Sequence, residues 1–205
     1  MQATYLIQGF ADPVAQAQQV FRQALDAMSE PGLAREVPEL AAGGHQVAAP
    51  GPLCEATWAL CLTLLDNETA IWISPVLGGA ALRQNLAFHC GCQVVETRAE
   101  ARFALLAAAD IGELETFHAG TDRDPHDSCS LIVQLPALDG GAPTTWHGPG
   151  IQATRQVRLP MPPALWQQRK LQAFPRGLDM FFTAGRQVMG LPRSTRVIHA
   201  VKEEA

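Results

Sequence analysis

The sequence predicts an α/β chain in which helices flank a mixed central sheet. Helical and strand-like patterns are interspersed along its whole length, as they are where a sheet is covered by helices. Ser130-Leu-Ile-Val-Gln-Leu135 is a short apolar run of the length and composition of a buried strand. Residues 178–183 and 186–191 read as two more strands joined at Ala184-Gly185, which is a hairpin signal.

The first element is a helix over 13–28. Asp12 is placed to cap it, and Pro13 suits its first turn. Val14, Ala17, Phe21, Ala24, Leu25 and Met28 recur at spacings of three and four and make one apolar stripe. Pro31 in Ser29-Glu-Pro-Gly32 then stops the ladder. A short strand over 33–37 leads into a loose segment, 38–52, with three Pro and three Gly. A second helix, 53–65, carries Leu53, Ala56, Leu60, Leu64 and Leu65, and Asp66-Asn67 turns the chain into a buried strand at Ala70-Ile-Trp-Ile73. A third helix over 79–89, a strand over 92–95 and another over 101–106 follow. The stretch 110–128 is polar and interrupted, with room for one short helix. After the strand at 130–135 the spacing predicts a strand region at 143–158, broken by Gly148-Pro-Gly150, then a helix over 162–173 before the final pair of strands. No repeat, low-complexity tract or long linker divides the 205 residues, so a single domain over 1–205 is expected.

A chain of this length buries roughly 70% of its extended surface on folding and needs no covalent staples. Its 47% apolar and 17% charged residues fit a globular core. The net charge of −5 argues against an extended nucleic-acid surface, where clustered cations must displace counterions. Of the 15 basic residues, 13 are Arg, and the two lysines are Lys170 and Lys202; Arg suits planar contacts to carboxylate or phosphate. The first residues carry no basic segment followed by an apolar one, no apolar run approaches 18 residues, and the five cysteines are odd in number and irregularly spaced. Reduced thiols, a cytoplasmic location and no membrane contact are the expectations.

Four constellations carry candidate chemistry. His89-Cys90-Gly-Cys92 offers imidazole and thiols but no second pair of ligands, so small residues at a helix-to-strand corner are preferred to zinc. The loop His118-Ala-Gly-Thr-Asp122-Arg-Asp124-Pro-His126-Asp127 gathers three carboxylates and two imidazoles without a calcium-loop pattern, and reads as a solvated loop. Trp146-His147-Gly-Pro-Gly150 fits a sharp bend better than a ligand approach. Arg176, Arg193 and Arg196, with the hydroxyls of Ser194 and Thr195, are candidates for holding phosphate oxygens. They are equally suited to pairing with Asp179 or with a partner's carboxylates, and the sequence leaves these readings even. Nucleotide and nucleophile-elbow fingerprints are missing.

The order of segments carries more than any one motif. Phe21-Arg22, Leu25 and Ala27-Met-Ser-Glu-Pro-Gly32, then Leu62-Thr-Leu-Leu-Asp66-Asn-Glu-Thr69 and Trp72-Ile-Ser74, open a pattern that continues through Phe88-His89, Gly120-Thr121, Gly148-Pro-Gly150-Ile151, Phe174-Pro-Arg-Gly-Leu-Asp179 and Leu191-Pro-Arg-Ser-Thr195. Over about 12–197 this resembles the H-subunit family of bacterial carbon–phosphorus lyase (PhnH), with the tail from His199 outside it. The family does not require cysteine at 90 or 92, which counts further against zinc.

The resemblance implies a subunit, scaffolding or co-catalytic, in forming α-D-ribose 1-methylphosphonate 5-triphosphate from ATP and methylphosphonate. It implies a homodimer joined to G, I and J subunits, and no complete active site of its own. It also implies a fold like the large domain of pyridoxal-phosphate-dependent transferases without the cofactor. Such catalysis needs a packed imine-forming lysine; Lys202 lies in a charged tail and Lys170 on the polar side of a helix, so neither cofactor nor metal is expected. The alternatives are a self-sufficient transferase binding nucleotide or phosphonate near Arg176 and Arg193 and, less favoured, a zinc protein.

Overall fold

The computed structural model describes residues 6–42, 45–46 and 49–199. In chain order its elements are α1 (Pro13–Ser29), β1 (Ala34–Glu36), β2 (Ala41–Ala42), β3 (His45–Gln46), α2 (Glu55–Leu64), β4 (Ala70–Ile73), α3 (Ala80–His89), β5 (Gln93–Val94), β6 (Phe103–Ala107), β7 (Ser130–Gln134), β8 (Thr144–His147), β9 (Arg155–Val157), α4 (Pro163–Leu171), β10 (Asp179–Ala184), β11 (Gln187–Leu191) and β12 (Arg196–His199). Seven strands form one sheet in the order β1-β11-β10-β7-β6-β4-β5. The pairings from β10 to β5 are parallel, and β11 runs antiparallel to both β10 and β1. The class is therefore α/β with a mixed central sheet. A separate antiparallel sheet has the order β12-β8-β9, and β2 pairs with β3.

Alternation along the strands divides the core in two, because successive side chains point to opposite faces. Ile71, Ile73, Leu105, Ile132, Phe181 and Val188 pack with residues of α1, α2 and α3. Ala104, Leu106, Leu131, Val133, Met180, Phe182 and Leu191 pack on the other face with Leu165 and Trp166 of α4 and Trp146 and Val157 of the small sheet. Three layers result. Strands buried on both faces read as continuous apolar runs, which is why 130–135 stands out in the sequence.

The first helix forms as its sequence predicts, with Asp12 Oδ1 accepting from Ala15 N at 3.0 Å. Its buried residues are Ala24, which the expected stripe contains, and Val20 and Ala27, which it does not. Val14, Phe21 and Leu25 of the expected stripe are 69%, 47% and 54% exposed. The helix carries two apolar stripes, and the one with small residues faces the sheet because the approach is close. A Cβ on Gly190 would run into the carbonyl oxygen of Ala27. Close backbone approach of this kind selects glycine.

The second helix is fixed at its first turn to the carboxyl ends of β7 and β10. Cys54 N donates to Gln134 Oε1 at 2.8 Å, and Ala56 N donates to Gly185 O at 2.9 Å. Thr57 Oγ1 lies 2.7 Å from Thr183 Oγ1 and 2.9 Å from Gln134 Oε1, while Gln134 Nε2 donates to Pro52 O at 2.8 Å. These polar groups follow the same alternation as the apolar ones: Gln134 continues the face of Ile132, and Thr183 that of Phe181.

Two regions depart from the sequence reading. The stretch 110–128 holds 3-10 turns at Leu114–Thr116 and Pro125–Asp127 rather than one helix. The 178–191 hairpin is not the final pair, because β12 follows it and pairs antiparallel with β8. With a polar residue at either end of Arg196-Val-Ile-His199, this edge strand has little apolar pattern to betray it. The segment 38–52 includes the β2–β3 ladder, and its residues 43, 44, 47 and 48 lie outside the described residues, as does the tail from 200.

Gly190→Ala forces α1 and β11 apart. It is expected to destabilise the fold by about 1–3 kcal/mol, as overpacking does, read as a lower denaturant midpoint with an unchanged slope.

Candidate functional site

The segments singled out at 118–127, 146–150, 174–179 and 191–196 converge on one corner, beside the amino ends of β7 and β10. Arg193 holds them together. Its backbone N donates to Asp179 Oδ1 at 2.6 Å, its Nε and Nη2 donate to Asp179 Oδ2 at 3.1 and 2.6 Å, and its Nη1 donates to Pro125 O. Neither Arg193 nor Asp179 is more than one-fifth exposed. With the guanidinium gripping one carboxylate oxygen and the backbone amide the other, these charge-assisted bonds fix geometry as well as charge. The glycines pack where side chains would not fit. A Cβ on Gly148 (φ 145°) would lie 3.1 Å from Ser194 O, and one on Gly150 (φ 80°) would strike Ser29 O at the end of α1. The bend expected at 146–150 is thus a tight junction between α1 and the 192–195 turn.

Arg169, on α4, is the residue that the sequence did not reveal. It is buried, and donates from Nη1 to Leu178 O at 2.8 Å and from Nη2 to Pro192 O and, at 3.5 Å, to Thr195 O. Burial pushes its guanidinium down to about 10, against the attraction of Asp179 and with the repulsion of Arg193. It remains charged at neutral pH. Its position beside Gln167, Gln168 and Lys170 disguised it as part of a polar face.

Between α4 and β12 lies a cavity of about 550 Å³, walled by Trp166, Arg169, Lys170 and Phe174 on one side and by Arg193, Ser194, Thr195 and Arg196 on the other. Four of the five anion-site candidates, Arg193, Ser194, Thr195 and Arg196, therefore share one cavity. Arg176 does not line it; its Nε pairs with Asp122 Oδ1 at 3.2 Å on the surface. Lys170 is exposed at the last turn of α4. It is not packed inside a closed site, so the described residues do not fit an imine-bound pyridoxal phosphate; Lys202 is outside them.

The remaining candidates are engaged elsewhere. His89 Nε2 is 2.9 Å from Ile7 O, and its ring meets Trp58 edge-on with centroids 5.7 Å apart. The Cys90 thiol is pushed up by its hydrogen bond to Cys92 and by burial, and Cys92 is lowered by that same bond. In the 118–127 loop, Arg102 donates to Asp127 Oδ1 at 2.9 Å and holds that carboxyl below its usual range. No group of three or more His, Cys, Asp or Glu placed to hold a metal is found among the described residues.

The residues gathered at this corner are those whose order marked the sequence, and comparison with known proteins gives the same family. Residues 8–198 match the family model described as bacterial phosphonate metabolism protein (PhnH). The chain belongs to the PhnH family. It is 37% identical over 193 residues to a protein of Rhizobium meliloti (strain 1021) named alpha-D-ribose 1-methylphosphonate 5-triphosphate synthase subunit PhnH, covering 92% of this chain and 93% of that one. It is 27% identical over 186 residues to a putative C-P lyase subunit protein, HtxG, of Stutzerimonas stutzeri, covering 88% and 85%. The PhnH match spans the whole corner, from the end of α1 to β12.

The arginines are expected to rank sharply in stability. Arg193→Ala takes the guanidinium from the mostly buried Asp179 carboxylate and is expected to cost about 3 kcal/mol; Arg169→Met strands buried carbonyls and should cost a similar amount. Arg176→Ala removes an exposed pair and should change stability by no more than about 0.5 kcal/mol. Urea unfolding of the three variants checks the order.

Proposed function

We propose that this PhnH-family protein is a subunit of the carbon–phosphorus lyase machinery. Its role is in phosphonate degradation, at the formation of α-D-ribose 1-methylphosphonate 5-triphosphate from ATP and methylphosphonate. The observation that carries the reading is the 37% identity, over nearly the full length of both chains, to a protein named as the PhnH subunit of that synthase. The relative named as a putative C-P lyase subunit supports it.

The role is scaffolding or co-catalytic. Two features of the molecule favour that over a free-standing catalyst. The guanidinium of Arg193 is fully committed to Asp179 and Pro125, and Arg176 to Asp122, so the pair that a self-sufficient transferase would use is turned inward or paired off. The α1 stripe Val14, Phe21 and Leu25 is left facing outward, and apolar side chains gathered on one exposed helix face are what a subunit contact needs. The partners in this reading are a second copy of the chain and the G, I and J subunits, in the cytoplasm. No helix of the described residues is long and apolar enough to cross a membrane. The likeness to the large domain of pyridoxal-phosphate-dependent transferases belongs to the same reading. The predominantly parallel seven-stranded sheet with one reversed strand supports it.

The test is co-expression of the tagged chain with the G, I and J subunits. The expected result is one complex containing all four; recovery of the chain alone at ordinary salt would sink the proposal. Phe21→Asp combined with Leu25→Asp is expected to leave the melting temperature of the isolated chain unchanged. The same pair of changes should sharply reduce its recovery with the other subunits.

A further inference from the structure

The cavity between α4 and β12 has a composition that the subunit reading does not explain. It lies within the size range of small-molecule pockets. Among the described residues its charged lining is basic: Arg169, Lys170, Arg193 and Arg196 face it with His147 and His199, and no described Asp or Glu does. In a chain of net charge −5, such a local excess of cations is against the overall balance. Arg193 is neutralised by Asp179, but Arg169 is not. Its hydrogen bonds all go to carbonyl oxygens, and the carboxylate that attracts it, Asp179, is already held by Arg193. A buried guanidinium without its own counter-ion makes the neighbouring space favourable for an anion. Two polar atoms of wall residues, Arg169 Nε and Thr195 Oγ1, are buried and have no hydrogen-bond partner among the described residues. Buried polar atoms are ordinarily satisfied. A polar group bound in the cavity would lie beside both of these side chains.

Beside Gln167, Gln172 and Ser194, part of the lining is apolar. Trp166 stands in the wall, and Phe174, 71% exposed, stands at the rim with Ile198. A free inorganic ion has no use for such a surface. We propose that this cavity is a binding site for a small organic molecule that carries a phosphate or phosphonate oxyanion on an aromatic or aliphatic body. The oxyanion sits between Lys170, Arg196 and the hydroxyl of Ser194, in the field of Arg169, and the body lies toward Trp166 and Phe174. Lys170 and Arg196 are both exposed side chains, so they reach the ligand without supporting the fold. The inference stands on the cavity alone and does not require the subunit reading.

The test is calorimetric titration of the full chain with phenylphosphonate, AMP and inorganic phosphate, each at low and high salt. The double variant Lys170→Ala with Arg196→Ala is titrated in parallel. At least one organic ligand is expected to bind saturably, more tightly than inorganic phosphate and more weakly as salt is raised. The tighter of the two distinguishes a phosphonate from a phosphate ester. Losing two charge-assisted contacts should weaken binding about tenfold or more, with the melting temperature of the ligand-free variant unchanged. The proposal is overturned by no saturable heat at millimolar ligand, by inorganic phosphate binding as tightly as both organic ligands, or by undiminished binding to the double variant.

Discussion

The constraint on which the structure depends is that β6, β7 and β10 are apolar on both faces. A strand of that kind is stable only when both faces are covered, and one layer of helices covers only one of them. The helices α1, α2 and α3 supply one cover. The other comes from Ile111, Leu114 and Phe117 ahead of β7 and, beyond it, from α4 and the β12-β8-β9 sheet. The second half of the sequence therefore has to be folded back and held against the sheet, and much of its polar chemistry serves that purpose.

The holding is done by two arginines and a few glycines. Arg193 joins the start of β10 to the 3-10 turn before β7, and Arg169 joins α4 to the strand entry at Leu178 and the turn after β11. Gly148 and Gly150 let the small sheet come close to both the 192–195 turn and the end of α1. Arg155 adds bonds from β9 to the carbonyl oxygens of Glu30 and Pro31. A cavity is left between α4 and β12, and the two bracing arginines supply only part of its basic lining.

Much of this was legible in the sequence, and what was hidden was hidden for physical reasons. Apolar runs such as 130–135 and the hairpin at 184–185 announce themselves because local pattern and burial agree. The face of α1 did so only in part: Ala24 of the expected stripe is buried, but Val20 and Ala27 are outweighed in size by Phe21 and Leu25, and the nearness of Gly190 decides between them. Arg193, Ser194, Thr195 and Arg196 were visible as a cluster of basic and hydroxyl groups, and they do line one cavity. Arg169 was invisible, since a buried arginine flanked by polar neighbours has no local signature. Its partners lie 9, 23 and 26 residues away and are backbone atoms.

The latch between Gln134 and the start of α2 bears on where this fold can receive a guest. Open α/β sheets usually accept ligands outside the carboxyl ends of their strands, where the bare amides at a helix start attract negative charge. Here a side-chain amide oxygen already sits on the Cys54 amide, and two threonines close the space behind it. The customary berth is taken by the polypeptide itself. A visitor to the start of α2 must displace an internal tenant.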